Sequence, residues 1–216
     1  MRRSRPSNIV RRLGVLALAT GLALAAGACT ELKRRAYAPA DRDEWQQPER
    51  VVETLALAPG DRIADLGSGG GYFTFLLADA VGATGRVYAV DVDEGMNEAL
   101  REDAVAKGYE NVEVVLAAPD DPKLAPGSVD LLFTSNTYHH IDDRSAYFRR
   151  AAAALAPGGR VAIVEFDESP GWFHGAHSTS PDEIRSEMEA AGYRLVASYE
   201  FLERQSFTIF ERADGK

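Results

Sequence analysis

Three glycines stand at alternate positions after an acid in Ala64–Thr74, ADLGSGGGYFT: Asp65, then Gly67, Gly69 and Gly71. Glycine adopts backbone conformations closed to other residues and lets another molecule lie against bare main chain. A loop of this kind holds a nucleotide-like ligand. Two well-known versions do not fit. A phosphate-gripping P-loop needs a lysine directly after its last glycine, and Tyr72 follows Gly71 instead. A dinucleotide fingerprint needs G-x-G-x-x-G, whose third glycine lets the helix pack tightly on the strand. Counted from Gly67 that position is Tyr72, and from Gly69 it is Thr74. A pyrophosphate site is therefore not expected.

A second cluster could move protons. Asn136, Thr137, Tyr138, His139 and His140 are consecutive in SNTYHHI. Histidine is the side chain best suited to proton transfer near neutral pH. Adjacent side chains point apart, so one of His139 and His140 is expected to act and the other to pack or cap. Asn136 could hold a ligand through its amide. All four histidines fall between residues 139 and 177, near Glu165 and Asp167. They lack the H-x-x-x-H or C-x-x-C spacing of a metal site, so none is expected.

The elements that must position these residues alternate. A helix is expected over 44–58, ended by Pro59-Gly60. Strands are expected at 62–66, 86–91, 112–116, 129–134 and 160–166, and helices at 72–80, 94–107, 142–155 and 181–191. Two last strands, 193–201 and 206–211, are close enough to form a hairpin. Strand–helix repeats with continuous apolar strands imply an α/β fold, a parallel sheet covered on both faces. Such sheets bind ligands beyond the carboxyl ends of their strands. Trp172, Phe173 and His177 lie in a Gly/Ser-rich stretch after the fifth strand that could cover an acceptor pocket.

With the other glycine loops set aside, D-x-G-x-G-x-G resembles motif I of the class I S-adenosylmethionine-dependent methyltransferases. Asp91 ends the second strand, 20 positions after Gly71, and VYAVDVDEGM resembles that family's second motif. PDDPKLAPGSVDLLF and LAPGGRVAIVEF match later stretches. The resemblance implies a Rossmann-like, doubly wound, mostly parallel seven-stranded sheet with a C-terminal antiparallel hairpin. It implies S-adenosyl-L-methionine as cofactor, held by Asp65, Gly67, Gly69, Gly71, Asp91, Val92, Met96, Asp120 and Asp121. Asp65 would meet the ammonium group and Asp91 the vicinal ribose hydroxyls. Val92 and Met96 would pack on the adenine, with Asp120 or Asp121 near its amino group. The acceptor would sit beyond the fourth strand, beside Asn136, His139 and His140.

Composition narrows the partners. The formal net charge is −9, which argues against a general grip on nucleic acid, since that needs a basic face. Residues 1–28 carry Arg2, Arg3, Arg5, Arg11 and Arg12, then a 16-residue apolar run from Leu13 to Ala28. That is short for a membrane span of about 20 residues and reads as an export signal. Cys29, the chain's single cysteine, follows Ala26-Gly27-Ala28. The arrangement resembles a bacterial lipoprotein signal, with Cys29 lipidated, residues 29–43 as tether and 44–216 as the domain. The expectation is a methyltransferase for a small or lipid-like acceptor, tethered on the periplasmic side of the envelope. The alternative is a non-catalytic envelope lipoprotein that uses the fold for binding.

Overall fold

The structure is a computed structural model describing residues 41–167 and 178–215. Residues 1–40, with the expected signal and Cys29, and Trp172, Phe173 and His177 lie outside the described residues. The chain begins with α1 (Arg42–Gln46) and α2 (Pro48–Thr54). Then come β1 (Arg62–Leu66), α3 (Tyr72–Val81), β2 (Arg86–Asp91), α4 (Glu94–Lys107), β3 (Val112–Leu116) and β4 (Val129–Ser135). After them follow α5 (Arg144–Ala151), β5 (Leu155–Phe166), α6 (Pro181–Ala190), β6 (Tyr193–Tyr199) and β7 (Gln205–Arg212).

The seven strands form one sheet in the order β3-β2-β1-β4-β5-β7-β6. β1 to β5 are parallel. β7 runs antiparallel to both β5 and β6, forming the expected hairpin. The strand order reverses between β1 and β4. Open α/β sheets make their ligand crevice at such a switch point, outside the strand carboxyl ends.

Alternation along the strands sorts the core into two faces. Ile63, Val87, Leu131, Phe133 and Val164 pack under α2 and α3, against Val51, Leu55, Phe73 and Leu77. Ala64, Leu66, Leu132, Val161 and Ile163 pack against Tyr147, Phe148, Ile184 and Met188 of α5 and α6. Asp65 lies two residues beyond Ile63, so it points toward the α3 face at the strand's end.

Two expected helices differ in more than a residue or two at their ends. The helix read over 44–58 is two helices broken at Gln47, whose φ is +46°. Pro48 disfavours helical backbone in the residue before it, and Pro48 starts α2 instead. The helix read over 142–155 is shorter: α5 passes into a 3₁₀ turn at Ala152–Ala154, and β5 already starts at Leu155. Leu155 pairs with Val129, and after a register shift Arg160 pairs with Leu131. Pro157-Gly158-Gly159 thus lies within the strand as an irregularity.

Candidate active site

The carboxyl ends of β1, β2, β4 and β5 open into a cavity of about 1150 Å³. That exceeds the roughly 300–1,000 Å³ of a single-ligand pocket, so cofactor and acceptor both have room. Gly67, Gly69 and Gly71 shape its floor, with φ of +75°, +51° and +83°. The three are needed for different reasons. A Cβ on Gly67 would lie 2.1 Å from Thr137 Oγ1, and one on Gly71 would lie 2.8 Å from the Phe75 ring. A Cβ on Gly69 would meet nothing nearer than Met96 Cε at 3.9 Å. The space over Gly69 belongs to the cavity, as close approach by a ligand requires.

Asp91 is built into this loop. Its Oδ2 accepts from Gly69 N at 2.9 Å and its Oδ1 from Asp93 N at 2.9 Å. Each carboxylate oxygen has two acceptor directions, so both keep one for a ligand diol. Next to it Val92 is 56% exposed and lines the cavity with the buried Met96. An exposed apolar side chain there offers a surface for a flat base. Asp93 caps α4, accepting from Gly95 N and Met96 N, which fixes the turn between them.

Asp65 is 3% exposed and accepts from Thr74 Oγ1 at 2.6 Å. Burial pushes its carboxyl up to about 6, and the Asp91 charge adds to this; Thr74 and Arg42 pull the other way. A buried carboxyl in this state favours a cationic ligand. Arg42 of α1 also lines the cavity, its guanidinium 3.8 Å from the centre of the Tyr72 ring. Burial lowers its affinity for its proton, and Tyr72, Asp65 and Asp43 partly restore it.

The far wall is the 3₁₀ turn Tyr138–His140 after β4. Its three side chains diverge. Tyr138 is fully buried, stacks on Phe148, and donates to Glu187 Oε2 at 2.9 Å. His139 turns to Glu165, with Nδ1 2.9 Å from Oε1; the two side chains are 6% and 0% exposed. His140 is exposed, with its ring centre 4.0 Å from that of His139. Both histidines line the cavity. Asn136 has φ +53° and its Oδ1 accepts from Gln205 Nε2 at 2.6 Å. That bond leaves its amide nitrogen as the donor.

Aromatic side chains cover one end of the cavity. Trp45 of α1 meets Phe166 at the end of β5, ring centres 5.5 Å apart, and Gln46 donates to Ser135 Oγ at 2.8 Å. Arg42, Trp45, Glu165, Phe166 and Gln205 are site residues that local sequence pattern does not reveal as such. Only Pro48 hints at the break that sets α1 over the cavity.

Asp120 and Asp121 are placed otherwise than expected. Asp120 is paired with Arg150 at 2.7 Å and Asp121 with Lys123 at 2.8 Å. Ala117, Ala118 and Pro119 line the cavity in their stead. The side chain of Asp120 is 76% exposed. The cations outside the cavity hold these carboxylates at the surface.

The donor set fits S-adenosylmethionine: a diol acceptor at Asp91, apolar surface at Val92 and Met96, an open glycine at Gly69, and a buried acid at Asp65. Residues 63–159 match the family model described as methyltransferase domain. The arsenite methyltransferase of Halobacterium salinarum is 30% identical over 155 residues, covering 65% of this chain and 39% of that protein. The ubiquinone/menaquinone biosynthesis C-methyltransferase of Xanthomonas axonopodis is 29% identical over 159 residues, covering 70% and 60%. The chain thus spans between 39% and 60% of the length of these relatives. A crystal structure of a SAM-dependent methyltransferase from Aquifex aeolicus superposes with a TM-score of 0.77 at 26% identity, covering 82% of this chain and 96% of that one.

Proposed function

We propose that this chain, whose residues 63–159 match the methyltransferase-domain family model, transfers a methyl group from S-adenosylmethionine to a small or lipid-like acceptor. The observation that carries this is the Gly69–Asp91 hydrogen bond. It makes the open glycine and the diol-binding carboxylate one unit at the switch point of the sheet. When bound, the cofactor supplies an electrophilic methyl on a sulfonium. The protein's task is then alignment of an acceptor with that methyl. Asp91 would hold the ribose, Val92 and Met96 the base, and Asp65 the ammonium end. Arg42, Trp45, Phe166, Asn136 and His139 would shape the acceptor side. Gly69 speaks against the non-catalytic alternative, since side-chain packing does not require a glycine there: a Cβ would meet nothing nearer than Met96 Cε at 3.9 Å.

Isothermal calorimetry with S-adenosylhomocysteine tests this reading. Wild type is expected to bind and Asp91→Ala to lose at least tenfold in affinity. No wild-type binding at high micromolar ligand would refute it. A metabolite screen with labelled methyl donor then identifies the acceptor.

The proposal extends to location. The basic start, short apolar run and Cys29 support export and lipidation at that cysteine. Labelling with radioactive palmitate should mark wild type and spare Cys29→Ser. Protease accessibility in spheroplasts should find the domain outside the cytoplasm.

A further inference from the structure

Glu165 is fully buried and its carboxylate receives three N–H donors. His139 Nδ1 and Phe166 N reach Oε1 at 2.9 and 2.8 Å, and His139 N reaches Oε2 at 3.2 Å. With a backbone N–H already donating to each oxygen, the carboxylate faces Nδ1 as an acceptor, and this geometry points to the ring proton on Nδ1. The other ring nitrogen, Nε2, is then the basic one, on a side chain that lines the cavity. The ring of His140, at the same turn, lies against that of His139.

The turn is held from behind. The Tyr138 ring stacks on Phe148, and its hydroxyl joins Glu187, which also pairs with Arg144 at 2.7 Å. Those contacts hold the backbone of residues 138–140. They do not need an acid on His139. A buried carboxylate costs free energy unless its acceptors are filled. Here one of the three donors that fill them is the histidine ring.

We propose that Glu165 is a positioning residue that fixes His139 in the Nδ1–H form, so that Nε2 takes a proton from the acceptor. This rests on the methyltransferase reading and sharpens it: the acceptor's nucleophile bears a proton, and the class that fits is a hydroxyl. The acceptor O–H bond breaks, its proton passing to Nε2 as the oxygen bonds the methyl carbon. The electron pair of the cleaved sulfur–carbon bond stays on sulfur. A sulfonium and a hydroxyl become a thioether and a methyl ether, and the positive charge reappears on the imidazole beside Glu165. Trp45 and Phe166, the latter adjacent in sequence to Glu165, form an aromatic wall of the cavity, suited to a flat hydroxylated acceptor such as a phenol or enol.

The test is two-bond proton–nitrogen NMR of the ¹⁵N-histidine-labelled full chain loaded with S-adenosylhomocysteine, assigned with His139→Gln and His140→Gln. Near neutral pH the wild-type His139 ring is expected to carry its proton on Nδ1. Glu165→Gln should keep that form, because its amide oxygen still accepts, whereas Glu165→Leu should shift the ring toward Nε2–H. A wild-type ring protonated on Nε2 overturns the proposal, as does a folded Glu165→Leu variant with an unchanged tautomer. Calorimetry with the same ligand separates the two readings. Lost cofactor binding in wild type defeats the methyltransferase reading, while the tautomer is read from the ring itself. For the acceptor found in the labelled-methyl screen, kcat should fall at least tenfold in Glu165→Gln, with KM within about threefold of wild type. Unchanged kcat, or an acceptor atom without a proton, overturns it.

Discussion

Asp65→Asn should make the protein more stable and a worse binder. Burial raises the Asp65 carboxyl from 3.8 to about 6, a difference of about 2 units or ~3 kcal/mol. The sign follows from proton binding. Between pH 4 and 6 the folded chain holds a proton that the unfolded chain releases, so this group's contribution to stability falls as pH rises. Above pH 6 the full cost of the buried charge is present. Asparagine carries no charge, and its amide oxygen can still accept from Thr74. The ligand-free variant should gain up to ~3 kcal/mol at pH 8, or roughly 6–12 °C in Tm for a domain of this size. Near pH 4 the two proteins should melt together. Binding should move the opposite way. A cationic ligand group favours the ionised Asp65, so wild-type affinity for S-adenosylhomocysteine should weaken as pH falls below 6, toward tenfold per unit. Asp91 and Arg42, which act on Asp65 with opposite sign, are kept in both proteins. The variant should bind more weakly at pH 8 and show little dependence across this window. Scanning calorimetry at pH 4.5, 6 and 8, with titrations at pH 5.5 to 8, reads both limbs. A variant that melts lower than wild type at pH 8 would refute the reasoning.

Gly67→Ala and Gly69→Ala should differ. The first drives a methyl into Thr137 at a positive φ and should cost about 2–5 kcal/mol in chemical denaturation. The second meets open space, should cost ~1–2 kcal/mol, and should lose cofactor affinity at least tenfold by calorimetry. Asp120→Ala should leave that affinity within twofold, because its carboxylate is held at the surface by Arg150. Tyr138→Phe removes the hydroxyl bonded to Glu187 and should cost about 1 kcal/mol, measured by urea unfolding, without weakening cofactor binding.

What the sequence discloses here is what neighbours along the chain decide. β1, β2, β3 and α4 begin and end at their expected residues, because glycine, proline and capping residues punctuate them. The glycine loop and Asp91 are legible for the same reason: a fixed short spacing carries them across one strand–helix–strand unit. The acceptor side is not of this kind. His139 meets Glu165 across 26 residues, Asn136 meets Gln205 across 69, and Gln46 meets Ser135 across 89. These pairs exist only once β4, β5 and β7 are brought together and α1 docks on them. The aspartates after β3 were expected at the cofactor by order along the chain, and nearby Arg150 and Lys123 hold them elsewhere.

The five residues of α1 are joined to the rest by side chains: Trp45 on Phe166, Gln46 on Ser135, Arg42 over Tyr72. They lie outside the 63–159 stretch that matches the domain family. The family match therefore stops short of the helix that lines the cavity through Arg42 and Trp45. On the proposed reading, substitutions in α1 would change the cavity wall while the glycine loop stays untouched. A lineage could change its chemistry's target by editing a helix of little more than one turn, and a comparison confined to the matched stretch would not register the change.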